Sequence, residues 1–440
     1  MKLRVRRVLL TFVERCALSL ALLAACGPKP PARTALSGNL AELKRDIQSA
    51  QQAGKLDRDA VVDLAQAVGE RELTSAEGAN GASRVRSLRG CARPLRSAME
   101  RRARADDDIA AELTLILLET HAATPAPLLQ RYARSPSAAW RAVAARAAQR
   151  PIDTDMRKAF IVDPDQQVRR AAFATALDVH DAGELEALLE AARVDPDPQS
   201  RSLALRAVGA IGGERAVLAL KDLWVRADDA TRIAIVDAWT AQPSFVSGGA
   251  RELAWAAERG GGLAAVSASY ALARAGGAES VVANARLRRD ISDGSDDAKR
   301  LALRVAPMEP ETEAAIAKAA KEASPELRVV ALARLSQIAA RRSDALRQLR
   351  ELANAKASSE SELRAQGDAL SALADAGDPS VLPKLIKDVR DPELARRSRA
   401  ARGLTSLGDY GNAASALADD DANLRSEVAC LILARESAHP

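Results

Sequence analysis

Aromatic side chains are scarce in this chain, with four Trp, three Tyr and four Phe among 440 residues. Rigid anchors of the kind that dominate protein interfaces are therefore few. The three histidines, His121, His180 and His439, stand too far apart to offer a local pair of metal ligands. Four cysteines include no CxxC and no Cys/His cluster, which removes the usual zinc and dithiol signatures. No HExxH, P-loop or GxSxG pattern occurs either. No metal or cofactor is expected, and with no catalytic constellation in view the chain reads as a binding scaffold rather than an enzyme. Long apolar runs are lacking too: the uncharged stretch from Cys16 to Ala25 has ten residues, against the ~20 that a spanning helix needs.

That short run has a meaning of its own. Lys2, Arg4, Arg6, Arg7 and Arg15 precede it as a positive n-region, and the pair matches the layout of a signal peptide. The run ends in Leu23-Ala24-Ala25-Cys26, which resembles the lipobox of bacterial lipoproteins. The resemblance implies cleavage after residue 25 and acylation of Cys26. Two other readings stand beside it: Cys26 as an ordinary residue next to a conventional cleavage site, or an uncleaved anchor. Glu14-Arg15 interrupts what would otherwise be a longer apolar stretch. Gly27 is not the Asp that retains lipoproteins at the inner membrane in enteric bacteria, so the outer membrane, facing the periplasm, is the expected location.

Charge has to be re-read without that segment. The chain carries 64 Lys+Arg against 59 Asp+Glu, a formal +5. Residues 1–25 hold five of the bases and one acid, leaving 59 against 58. So balanced a body gives no argument for nucleic-acid binding. Cys91 and Cys430 are then the two remaining thiols, near opposite ends of the sequence. In an exported chain the two could form a disulfide, but because an extended array keeps its ends apart, they are expected as separate buried thiols that pack as small hydrophobes.

Residues 26–38 begin Cys26-Gly27-Pro28-Lys29-Pro30-Pro31 and are expected to form a stiff, non-helical tether. Residues 39–107 are expected to be a helical cap, and residues 108–440 a repeat array. The repeat lies in a recurring Asp or Ser, often followed by Pro, with an Arg a few positions on: Arg141, Arg169, Arg201, Arg232, Arg300, Arg328, Arg364, Arg397 and Arg425. Successive arginines are 28 to 36 residues apart, except for one gap of 68 that is two periods. Gly262–Ala275 fills that gap, with Val266 in the place of Arg. Three positions after each Arg stand Ala144, Ala172, Ala204, Ile235, Leu303, Ala331, Gly367, Ala400 and Val428, none of them polar, as close helix packing requires. Leu382, Leu385, Ile386 and Val389 show the i, i+3, i+4, i+7 stripe of a buried helix face. Asp378-Pro379 and Asp391-Pro392 are helix starts, and Gly212-Gly213 and Gly276-Gly277 are stops.

Asp163-Pro164 with Val168-Arg169, Ala172 and Leu177 resembles the short HEAT repeats of bacteria, the kind also found in phycobiliprotein lyases. The resemblance covers roughly residues 108–435. It implies an all-α, right-handed superhelical solenoid of about ten two-helix repeats, and arginines that tie neighbouring repeats together. Helices ~8–10 Å apart would make an arch on the order of 90 Å long. Departures from the pattern, at residues 244–262 and around Pro307, are expected to be irregular.

Two surfaces are candidates for binding. Trp140, Trp224, Trp239 and Trp255 could anchor a partner, although Trp239 falls at an apolar register position and is expected in the core. Residues 84–104 carry eight arginines and one acid, Glu100. Arg84, Arg86, Arg89, Arg93 and Arg96 could meet an anionic membrane surface, or lie on a solvated face beside Asp106, Asp107 and Asp108. The expected function is a membrane-tethered envelope adaptor, monomeric, that grips a protein or peptide. The alternative is a structural lipoprotein engaging membrane or cell wall through the basic segment.

Overall fold

A computed structural model describes residues 31–438, so the expected signal peptide and Cys26 lie outside the described residues. Among the described residues all regular structure is helical. Helices follow one another in antiparallel pairs, and each pair packs on the pairs before and after it, as in an all-α solenoid.

Starts and stops follow the local chemistry. Asp165 caps its helix by accepting from the N–H groups of Gln167 and Val168, and Asp197 does so from Ser200 ahead of Pro198–Ile211. Such caps satisfy helix N–H groups that have no partner within the helix. Gly212 (φ +70°) and Gly276 (φ +77°) end their helices in backbone that residues with a Cβ adopt only under strain. The break in the pattern near residue 245 is a π-turn, Phe245–Gly249, with Gly248 at φ +115°. Around Pro307 the chain runs as a short loop before Pro310–Glu322 begins.

The second helices of the pairs form one layer. Asp108–Glu119, Ala138–Ala147, Gln166–Val179, Pro198–Ile211, Asp229–Thr240 and Gly262–Ala275 pack in succession. Asp296–Val305, Pro325–Leu335, Glu360–Asp375, Leu394–Ser406 and Ala422–Ala438 continue the row. The first helices, on the opposite face, touch one another only sparsely. A layer in continuous contact belongs on the shorter circumference of a curved array, so this row is the inner one. Small residues allow the close approach. A Cβ added at Gly209 would come within 2.3 Å of the Ala238 carbonyl oxygen on the next inner helix.

The ends of the row do not stay apart. The last inner helix, Ala422–Ala438, packs along Arg58–Thr74, and the turn Ala414–Ala418 packs on Leu40–Gln52. Gly78–Ser87 and Ala92–Arg102 then lead back to Asp108–Glu119. One buried apolar cluster accordingly runs from Ala35 through Leu64, Leu95 and Leu113 into Leu404, Val428 and Leu433. The solenoid closes on itself, and the expectation of an open arch with distant ends is corrected. With about twelve inner helices ~9 Å apart and ~10 Å thick, the ring surrounds an opening of roughly 20 Å.

Closure also corrects the cysteines. Cys91 and Cys430, both buried, are joined in a disulfide that spans 339 residues of sequence. The tether is shorter than expected as well. Pro31–Ser37 is helical, with Thr34 and Ala35 buried, and it lies against Arg58–Thr74. Pro31 opens the helix, where a missing N–H costs nothing.

Replacing Gly209 with Ala tests the close inner packing. Gly209→Ala should lower stability by about 1–3 kcal/mol or more, as overpacking does, with helical circular dichroism retained at low temperature. An unchanged melting temperature would show that the inner helices can part freely.

Candidate functional site

The repeat arginines share one geometry. Arg169 donates Nε and Nη2 to the Asp195 carboxylate of the next repeat at 2.6 and 3.1 Å. Its Nη1 donates to the carbonyls of Asp163 and Pro164, at the start of its own helix, at 3.0 and 2.9 Å. Arg141 repeats this with Asp163, Ser135 and Pro136. Arg397 does so with Asp419, Asp391 and Pro392. Asp163 and Asp195 thus serve twice, each taking one Arg on its carboxylate and the next Arg on its carbonyl. The planar fork of guanidinium fits this double task and an ammonium would not.

The relay thins in the middle of the array. Arg201 holds its own Asp195 and Pro196 carbonyls. Arg232 reaches the Trp224 carbonyl and Asp229, and Arg328 the Ala320 carbonyl. Arg300 pairs with Glu326, and Arg364 with Glu360 and Glu326. Val266 is buried in the Arg register position.

At the end of the array the relay resumes and crosses the seam. Arg425 lies on the last described helix, and its Nη1 holds the Asp419 and Asp420 carbonyls at 2.7 and 3.2 Å in the usual way. Its Nε donates at 2.8 Å to Glu72, a fully buried carboxylate 353 residues earlier. Glu72 stands in for the Asp of a next repeat, and Arg84 donates to its other oxygen at 2.9 Å. Lys44–Asp420 and Arg58–Glu436 flank this buried pair at the surface, and Gln51 donates to the Gly411 carbonyl. A second buried knot lies outside the Arg register: Arg157, with no exposed surface, meets Glu184 and Asp181 and the carbonyls of Ala148 and Arg150.

The basic segment is largely matched to acids. Arg84 pairs with Glu72, Arg86 with Glu112, Arg89 with Glu119 and Arg96 with Glu100. Arg101 pairs with Glu70 and Arg102 with Asp107. Among the described residues Arg93 forms no ion pair. Pro94 sits in the first turn of Ala92–Arg102 and does not break it. The tryptophans offer little outward surface. Trp140 is buried and stacks on Tyr132, with centroids 4.1 Å apart. Trp224 stacks on Trp239, and both are buried. Trp255 is half-buried beside them and lines an outer groove with Val282, Arg259 and Arg289. Among the described residues no helix is long and apolar enough to cross a membrane.

Ion pairing shifts Arg141, Arg169, Arg397 and Asp163 toward their charged forms. Hydrogen bonds that they donate to Asp163, Asp195 and Asp419 hold Arg141, Arg169 and Arg397, respectively, above the ordinary guanidinium range. Partial burial pushes Asp163 up, but Arg141 and the Asp165 N–H outweigh it and bring that carboxyl below its usual range. Burial opposes the drop at Asp197 too, where Ser200 and Arg170 bring it to about 2. Desolvation raises Glu112, Glu184 and Asp237.

Comparison with known proteins adds little. No protein-family profile matches this chain, and no curated protein does. Human deoxyhypusine hydroxylase in complex with glycerol aligns at 19% identity over 69% of this chain and 100% of its own, with a TM-score of 0.24. An engineered protein aligns at 15% identity over 80% of this chain and 99% of its own, with a TM-score of 0.27. The first of these is an enzyme, against the reading of the chain as non-enzymatic, and that reading is withdrawn. At such scores neither likeness carries an activity or a site to this chain, and the likeness to phycobiliprotein lyases finds no support.

Two tests follow from this geometry. Removing Glu72 leaves Arg425 without its acid in a dry site, which typically costs about 3–5 kcal/mol. Glu72→Ala should therefore lower the urea midpoint sharply and speed hydrogen exchange in Ala422–Ala438. Equal exchange in the variant would mean that the seam does not depend on this pair. The lowered carboxyls give the pH dependence its sign. Their contribution is complete above the unfolded range near 4 and disappears as pH falls through the folded values, down to about 2 at Asp197. The raised group of Glu112, Glu184 and Asp237 acts oppositely, favouring the fold as pH drops toward about 4. Melting temperature should hold or rise slightly from pH 7 to 5 and fall between about 4 and 2; a steady fall from pH 7 would contradict the assignment.

Proposed function

We propose that the chain is an exported, lipid-anchored envelope protein, held at the outer membrane and facing the periplasm, whose ring binds a protein or peptide partner on its inner face. The observation that carries this reading is the buried Cys91–Cys430 disulfide. Disulfides form and persist in oxidising compartments and are rare in the cytosol. The bond therefore agrees with the signal-like n-region and the lipobox-like Leu23-Ala24-Ala25-Cys26. Five residue steps separate Cys26 from the helix at Pro31, so a fully extended link would span about 18 Å. Because Pro31–Ser37 rests on Arg58–Thr74, a lipid on Cys26 would hold the ring by its seam and leave the far side free for a partner.

The second reading, adhesion to anionic membrane through residues 84–104, draws less support. Most arginines there are already matched to acids, and paired charge contributes little to a polybasic patch.

Intact mass of the membrane-extracted protein, run without reductant beside a Cys26→Ser variant, tests the reading. A species that begins at Cys26, carries lipid mass and is two hydrogens lighter than the dithiol is expected. The variant should lose the lipid and keep the disulfide. An unlipidated wild-type species, or free thiols at Cys91 and Cys430, would overturn the envelope assignment.

A further inference from the structure

Five consecutive inner helices carry charges in an ordered row. Arg274, Arg304 and Arg334 each stand one residue before the end of their helix, in Gly262–Ala275, Asp296–Val305 and Pro325–Leu335. Each is the penultimate residue of its helix, so the three stand at the same end of neighbouring inner helices. The three helices pack directly against one another, which sets adjacent positions ~8–10 Å apart. Unlike Arg141, Arg169, Arg397 and Arg425, none of the three forms an ion pair among the described residues.

What they touch instead is sparse. Arg274 lies over the Tyr270 ring, 5.7 Å from its centroid. Arg304 is exposed, with no hydrogen bond from its guanidinium among the described residues. Arg334 is half-buried and donates to the Ala306 carbonyl and to Gln337, while its Nε finds no acceptor. Cations in the last helical turn complement the helix dipole, and that accounts for Arg334 in part. It does not account for three guanidinium groups without a carboxylate in a protein that matches most others.

The row is also bounded. A cavity of about 470 Å³ joins Arg274 to Asp237, Thr240 and Phe245 on the preceding side. A second, of about 600 Å³, joins Arg304 and Arg334 to Asp368 and Asp375 on the following side. Along these cavities the order of charges is therefore acid, three bases, then two acids with one further base, Arg342, beside them. A long uniform polyanion would meet repulsion at both ends. A short acidic stretch would not.

We propose that this row is a docking groove for an extended acidic peptide segment of the partner, with three carboxylates at every third residue. In the polyproline-II form an extended chain advances ~3.1 Å per residue with three residues per turn, so every third side chain recurs on one face about every 9 Å, the spacing of neighbouring inner helices. The aliphatic faces of Val236, Ala271, Val330 and Ala333 line the cavities between the charges and receive the intervening small residues. The proposal rests on the reading of the inner face as the partner-binding face, and narrows it to one class of ligand.

The probe is a fluorescein-labelled twelve-residue peptide with Glu at every third position between Ser and Gly, read by anisotropy against the full disulfide-bonded chain. Its Gln counterpart is the control. The Glu peptide should bind and weaken as salt rises, and the Gln peptide should not bind. Arg304→Gln disturbs no hydrogen bond of the fold and should weaken binding about fivefold, the upper range for one exposed ion pair. Arg274→Gln added to it should weaken binding further. Equal binding of the two peptides, or an affinity untouched by Arg304→Gln, would overturn the proposal. So would a twelve-nucleotide single-stranded DNA that competes as well as the Glu peptide, because the flanking acids would then exclude nothing. If a partner crosslinks to the inner face while the Glu peptide fails to bind, the acidic groove is wrong and the adaptor reading stands. If the intact mass has already ruled out the envelope while Arg304→Gln still weakens the peptide, the groove stands without it.

Discussion

The bond between one repeat's arginine and the next repeat's carboxylate is the constraint on which the rest of the molecule depends. Each such Arg holds the carbonyls that open its own helix and, with the same planar group, the acid of its neighbour. The orientation of one pair relative to the next is therefore fixed by a fork, not merely by apolar contact. In a repeat protein a small rotation per unit accumulates into the curvature of the whole. Here about twelve inner helices complete a circle, or about 30° each, and the same fork at Arg425 finds Glu72 in the place where a further Asp would stand. The surface ion pairs around the seam add little by themselves, since exposed pairs are worth about 0–1 kcal/mol. The buried Arg425–Glu72 pair and the disulfide beside it bear the closure.

Much of this was legible in the chain. The Asp/Ser-Pro starts, the glycine stops and the Arg register are local signals, each set by one helix and its cap, and the helices follow them. Nearest-neighbour packing was legible too, in the apolar and mostly small residues three positions after each Arg. Closure was not, for a physical reason: a repeat pattern encodes how each unit meets the next, and says nothing of where the last unit ends in space. Glu72 lies outside the repeat pattern, in a helix without the Asp-Pro signature, so nothing marked it as the partner of Arg425. The cysteines misled for the same reason, because an argument from an open array placed them far apart. Arg157 and Glu184, deep in the fold, fall off the Arg register and passed unnoticed. The regular spacing of Arg274, Arg304 and Arg334 was visible in the sequence, but their lack of acidic partners became evident only in three dimensions. The tether was misjudged because prolines break helices in the middle and begin them at the first turn, and Pro31 does the second.

The basic segment shows how composition alone can mislead. Eight arginines in 21 residues look like a surface for anions, yet the acids that answer them come from other helices: Glu70 and Glu72 from Arg58–Thr74, Glu112 and Glu119 from Asp108–Glu119. The density of charge there belongs to the joint between the seam and the first regular repeat. Sites of another kind, where arginines lack such answers, lie on the opposite part of the inner face.

An open solenoid behaves as a spring: its ends can move, its curvature can relax, and a bound partner can be wrapped more or less tightly. A ring joined by a covalent bond has none of that compliance. Its aperture is a fixed dimension, and a repeat cannot be gained or lost without leaving Glu72 and Cys91 out of reach of Arg425 and Cys430. Whatever passes into or through the opening must suit a gauge that the protein set when it folded.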